Sequence, residues 1–84
     1  MNEIVSSRNG FSLIKTEQGN YGIWDMDGNM IVPSFYDECM GFGGDTVTMV
    51  YYDESTRVRE LTRYNLEEER EKILNKASSE GKQR

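Results

Sequence analysis

The sequence predicts an α+β chain, mainly β: an antiparallel meander of about five short strands with one C-terminal helix packed against it. Three observations carry this prediction. Between residues 11 and 64, apolar and polar side chains alternate in short runs, the two-residue period of half-buried strands. Arg8-Asn9-Gly10, Gln18-Gly19-Asn20 and Asp27-Gly28 separate those runs with residues that suit tight turns. After Asn65 the pattern changes to an acid-rich helix start with apolar residues at helical spacing.

Residues 3–7 hold Ile4 and Val5 and are read as a short first strand, ended by Asn9-Gly10, both tolerant of positive φ. Residues 11–16 place Phe11 and Leu13 on one face and Ser12, Ile14 and Thr16 on the other. In residues 21–26, Tyr21, Ile23 and Asp25 alternate with Gly22, Trp24 and Met26, so both faces carry large side chains and Gly22 leaves room for a close neighbour. Asp27-Gly28 predicts a type I′ hairpin turn, in which both central residues need positive φ. Residues 30–32 return antiparallel, and Pro33, which has no N–H to donate, should end that strand or lie on an exposed edge. Residues 34–44 keep no clean period; Phe35, Tyr36, Met40 and Phe42 are expected to pack under the sheet, with a bend at Gly41, Gly43 and Gly44.

Residues 45–52 are rich in β-branched and aromatic side chains and form a strand, with Val47, Met49 and Tyr51 opposite Thr46, Thr48, Val50 and Tyr52. A polar loop leads to a last strand, residues 57–64, with Val58, Glu60, Thr62 and Tyr64 on one face and Arg57, Arg59, Leu61 and Arg63 on the other. Asn65 suits the helix N-cap, Glu68 sits at the capping-box position, and Glu67 and Glu69 face the positive end of the dipole. The helix is expected to reach about residue 78, with Leu66, Ile73, Leu74 and Ala77 as a thin apolar stripe and a Glu68–Lys72 pair. Residues 79–84 have nothing to bury and are expected to be a flexible tail on a single domain of residues 1–78.

At 84 residues the core must be small. Five Tyr, three Phe and Trp24 supply the burial that 30% charged residues would otherwise deny. No apolar run approaches the ~18 residues of a membrane span. The start, Met-Asn-Glu-Ile-Val-Ser-Ser, has neither the basic nor the apolar part of a signal peptide, so the expected compartment is the cytoplasm. Cys39 is the only cysteine and histidine is absent, which excludes an intramolecular disulfide, a Cys/His zinc site and imidazole-based catalysis. The net charge of -5 is uneven: residues 1–44 hold six acids against Arg8 and Lys15. That balance disfavours direct nucleic-acid binding and favours a basic protein surface.

Tyr21-Gly22-Ile23-Trp24-Asp25, followed by Gly28, Ile31-Val32-Pro33 and Tyr36-Asp37, resembles a WG repeat. In that bacterial family a Gly-x-(Trp or Tyr)-Gly-x-x-Asp-x-x-Gly segment leads into an apolar pair, a proline and Tyr-Asp. The match covers residues 19–42, with Phe42 where the family often has Phe. Tyr21 stands where the family's name-giving Trp would be, and residues 46–64 resemble a decayed second copy in which Arg57-Val58-Arg59 replaces Tyr-Gly. The resemblance implies a small β-rich binding module with no known chemistry. A lone repeat cannot bury its own face, so the C-terminal helix is its expected cover, with an edge strand left for a partner.

The expected partner-binding residues are Trp24, Tyr36, Tyr51 and Tyr52, an aromatic patch, with Asp25, Asp37 and Glu38 steering a basic target. Arg57, Arg59 and Arg63 share a strand face and are candidates for an anion or acidic partner, against the plainer reading of a solvated face. Asp25-x-Asp27-x-Asn29 starts like a calcium loop, but the required Gly falls at Met30 and the bidentate Glu at Tyr36, so hairpin chemistry explains it better. Cys39 lacks a flanking Lys or His and reads as a small hydrophobe. No metal or cofactor is expected. The leading functional expectation is a non-enzymatic, small acidic inhibitor of the immunity or phage anti-defence (anti-CRISPR) type that blocks a partner surface. Alternatives are a self-associating structural module, a homodimer through open edges, and a small-molecule sensor.

Overall fold

The computed structural model describes the backbone of residues 1–82 and the side chains through residue 76. Seven strands precede one helix: β1 (Glu3–Arg8), β2 (Phe11–Lys15), β3 (Tyr21–Asp25), β4 (Met30–Tyr36), β5 (Glu38–Met40), β6 (Thr46–Asp53), β7 (Val58–Asn65) and α1 (Leu66–Lys82). The mainly β class with one C-terminal helix is as expected. The single meander is not: β1-β2-β3-β4 form one antiparallel sheet and β5-β6-β7 a second. The difference arises in residues 34–40, where β4 runs on through Pro33 to Tyr36 and three further residues pair with β6. Pro33 is tolerated because β4 is the edge of its sheet, where a missing N–H breaks no ladder.

Against β3, β4 shifts register twice, between Tyr21 and Ile23 and between Ile23 and Trp24, so it carries extra residues. Ser34 thereby lies over Gly22, so closely that a Cβ there would stand 2.2 Å from Ser34 Oγ. Phe35 turns outward while Tyr36 returns to the core, which corrects the expectation that Phe35 packs beneath the sheet. Met40 is likewise half exposed, because it lies on the face of β5 that points away from the core.

The type I′ turn forms at Asn9-Gly10, with φ of 52° and 84° and Arg8 opposite Phe11. At Asp27-Gly28 only Gly28 is left-handed, at 87°. Gly28 N donates to the Asp25 carbonyl at 3.2 Å and Asp25 N to the Asn29 carbonyl at 2.9 Å, the pattern of a wider three-residue loop with a Gly bulge. The Asp25 carboxylate holds that loop open: Oδ1 accepts from Asp27 N at 2.9 Å and Asn29 N at 2.8 Å, and Oδ2 from Asn29 Nδ2 at 2.8 Å. Thr16 to Asn20 repeats the build, with Gly19 at φ 87° and Asn20 N donating to Thr16 Oγ1 at 3.1 Å.

The core lies between the sheets. Phe11, Leu13, Ile23 and Val32 come from the first, Val47 and Met49 from the second, and Leu66 of α1 closes the end. Burying each such side chain stabilises the fold by ~1.5–3 kcal/mol. The hydroxyls of Tyr36 and Tyr64 hydrogen-bond across the gap.

Asn65 Oδ1 accepts from Glu68 N at 3.0 Å, the expected cap. Lys72 pairs with Glu69 at 3.0 Å instead of Glu68. The docking stripe is Leu66, Arg70 and Ile73, while Leu74 is exposed. Arg70 Nε reaches Asp25 Oδ2 at 3.3 Å and its Nη2 lies 3.7 Å from Asp27 Oδ2, so the first two turns of α1 are clamped to the β3–β4 loop. The helix passes the expected end at residue 78; residues 83 and 84 of the expected tail, and the side chain of Ala77, lie outside the described residues. No helix among the described residues is long and apolar enough to cross a membrane.

Candidate protein-binding surface

Where the chain crosses from one sheet to the other, Asp37 stands alone between β4 and β5. Its N–H donates to the Val50 carbonyl at 2.8 Å and its Oδ2 accepts from Tyr52 N at 2.6 Å, so main chain and side chain both fasten the crossing to β6. The bulged end of β4 brings Phe35 beside it. Phe35 stacks on Tyr36 at 4.3 Å between centroids and meets Tyr51 edge-on at 5.9 Å. Tyr36 meets Tyr64 edge-on at 6.1 Å, which makes an aromatic series running from core to surface. Its outer members are open to solvent, Phe35 49% and Tyr51 38% exposed, while Tyr52, 40% exposed, points to the opposite face of β6.

Charged residues lie on both faces of β6 beside these rings. Glu38 Oε2 accepts from Arg59 Nη2 at 2.7 Å, and Arg59 stands opposite Tyr52 in the register while Glu60 stands opposite Tyr51. An exposed pair of this kind contributes ~0–1 kcal/mol to the fold, so its value is in orientation. At the β6–β7 turn, the Ser55 hydroxyl and N–H hold the Asp53 carboxyl below the usual range at 2.7 and 3.0 Å. In residues 35–38 and 51–60, the segments that carry these rings, Asp37, Glu38, Asp53, Glu54 and Glu60 outnumber Arg57 and Arg59.

The structure brings Tyr52 beside Arg59 and its partner Glu38 on one face of β6 and Tyr51 beside Phe35 and Glu60 on the other, with Asp37 bonded to the Tyr52 N–H. It does not bring in the rest. Tyr36 is buried and backs Phe35 instead of facing a partner. Asp25 is buried too, its oxygens taken up by Asn29, Asp27 N–H and Arg70, which removes it from any surface and from a calcium loop. Trp24 lies half-buried on the outer face of the first sheet, opposite Ser12 and Met30. Arg57 sits in the loop before β7 at φ 60°, so the predicted three-arginine face does not form; Arg63 is opposite Thr48, and Arg59 is held by Glu38.

The chain matches no family model, no curated protein and no solved structure.

Two residues escaped sequence reasoning. Phe35 carried a signal, because adjacent aromatics after a proline on a strand cannot both face inward. Arg70 carried one as well: it is four residues after Leu66 and three before Ile73, on the docking stripe.

Beside the rings, a cleft of about 300 Å³ opens between the first sheet and β5, lined by Val5, Leu13, Tyr21, Asp37, Glu38 and Cys39. Burial pushes the Cys39 thiol up, which keeps it protonated and apolar. A smaller hollow of about 150 Å³ lies against Asp25 and Arg70 and belongs to the helix clamp. The surface offers ring faces, carboxylate acceptors and one oriented ion pair, the equipment of recognition.

Proposed function

We propose that this protein is a non-enzymatic binding module, a small acidic inhibitor of the immunity or phage anti-defence (anti-CRISPR) type, which works in the cytoplasm by covering a basic surface of a protein partner. The observation that carries this reading is the exposed aromatic pair Phe35 and Tyr51, in edge-on contact, on an acid-rich part of the chain. A few hot-spot residues, enriched in aromatic side chains, dominate the binding energy of protein interfaces, and acidic residues on the same chain speed encounter with a basic target. On this reading the β3–β4 hairpin is the one clear WG-repeat unit, with Gly22 serving the close approach of β4 and Gly28 the loop.

Affinity capture from the source cell, and from its host if the gene is viral, tests the proposal. A single stoichiometric partner with a basic surface is expected, released by raised salt. The double variant Phe35→Ser/Tyr51→Ser should lose it while keeping the fold. Recovery of no stoichiometric protein would sink the idea.

A second reading, self-association, is favoured by one observation: the edge strand β1 is exposed along its whole length, with Ile4 66% open. Light scattering at two concentrations decides it, since a monomer at the higher one removes the homodimer.

A further inference from the structure

β1 is an open edge of the first sheet, and its residues, Glu-Ile-Val-Ser-Ser-Arg, are exposed throughout. Arg8 and Phe11 flank the two-residue turn and exchange main-chain bonds, so Ser7 turns its N–H and C=O away from β2. Ser6, opposite Leu13, faces β2 again. The register then shifts at Val5, the extra residue, and Ile4 is the next whose main chain points to the open side. In a regular strand the main chains of residues 4 and 7 would point opposite ways; the bulge aligns them. Side chains follow the same shift. Glu3 and Arg8 stand opposite Lys15 and Phe11 on the core-side face, and Ile4 and Ser7 opposite Ile14 and Ser12 on the outer one. Neither end charge is committed: Glu3 makes no ion pair among the described residues, and Arg8 only lends an N–H to the Gly43 carbonyl at 3.4 Å.

We propose that a second copy of this chain docks on β1, strand against strand and antiparallel, about a two-fold axis between Val5 and Ser6. Ile4 then exchanges main-chain bonds with the other copy's Ser7, Val5 lies against Ser6, and Glu3 lies against Arg8; symmetry makes each contact twice. Charge selects this occupant. The strand begins with an acid and ends with a base, so antiparallel pairing sets opposite charges together, and β1 carries no other charge. The adjoining outer face, Ile4, Ser7, Ser12, Ile14, Trp24 and Met30, is uncharged, so two chains of net charge -5 meet where that charge is absent. Because β4 is the far edge of the same sheet, the Phe35–Tyr51 pair of each copy stays free. The proposal rests on the self-association reading and gives it a strand and a register.

Sedimentation equilibrium of the unmodified chain from about 10 µM to about 1 mM is the first test, with a reversible monomer–dimer transition expected. Over the same range, amide NMR shifts should move at Ile4 and Ser7, whose N–H groups gain partners. Glu3→Arg sets two pairs of arginines against each other and Arg8→Glu two pairs of glutamates, so each variant alone should dimerise at least about tenfold more weakly. An equimolar mixture of the two should recover the dimer, because every contact between positions 3 and 8 then joins an acid to a base. Glu3→Arg/Arg8→Glu, with the native net charge, should dimerise like the unmodified chain. Both positions are exposed, so the exchange leaves the core alone. A monomer at the highest concentration would overturn the proposal and self-association together. A dimer whose shifts spare β1 would leave self-association standing and remove this register, with no variant needed. A dimer indifferent to both single variants would do the same.

Discussion

Gly22 is the residue on which the approach of β4 to β3 depends. A Cβ there would meet Ser34 Oγ at 2.2 Å, and Ser34 Cα and the Val32 carbonyl oxygen at 2.8 Å each. The first contact can be relieved by rotating a hydroxyl, but the other two are backbone and cannot. Gly22→Ala is therefore expected to lower stability by about 1–3 kcal/mol, read as a lower urea midpoint at unchanged slope. Adding Ser34→Gly should rescue only part of that loss, since the backbone overlaps remain. The need for a small residue here was legible in the sequence, as a glycine between Tyr21 and Ile23 inside a strand pattern. The turn type at Asp27-Gly28 was not, because the side chain of Asp25, outside the turn dipeptide, selects the wider loop.

Among the elements, α1 shows how a stripe read from spacing divides once a helix docks. Leu66 and Leu74 belong to the same predicted stripe, yet Leu66 is 1% exposed and Leu74 45%. Leu66→Ala is expected to cost about 2–5 kcal/mol and Leu74→Ala to stay within about 0.5 kcal/mol, by urea or thermal unfolding. The helix start at Asn65, the β2 and β3 strands and the β6–β7 pair were legible because alternation and capping are local properties. The division into two sheets was not. β5 is three residues long, and its pairing with β6 is decided by distant partners such as Glu38 with Val50, which no periodicity of its own announces. The exposed half of the candidate surface shares that origin, since register shifts against β3 decide which way Phe35 points.

At the scale of the whole molecule, helix and sheet are joined through one buried acid. Burial acts to raise the Asp25 carboxyl, but hydrogen bonds from the Asn29 side chain and backbone, Asp27 N–H and Arg70 outweigh it and hold the group below its ordinary 3.8. Because the folded value is the lower one, the stabilisation is complete above pH 3.8 and is lost as pH falls through the folded value. Asp25→Asn should be less stable at neutral pH and should show a shallower loss of stability on acidification; urea midpoints between pH 7 and pH 2 check both. The crossing between the sheets carries a different consequence. Asp37 presents a carboxylate at the candidate surface and also fastens β4 and β5 to Val50 and Tyr52. Mutational drift at position 37 is therefore judged twice, once by whatever the surface meets and once by the fold. A substitution that evades or retunes a partner there loosens the crossing as well, so adaptation of this surface has freer routes through Phe35, Tyr51 and Glu38 than through Asp37.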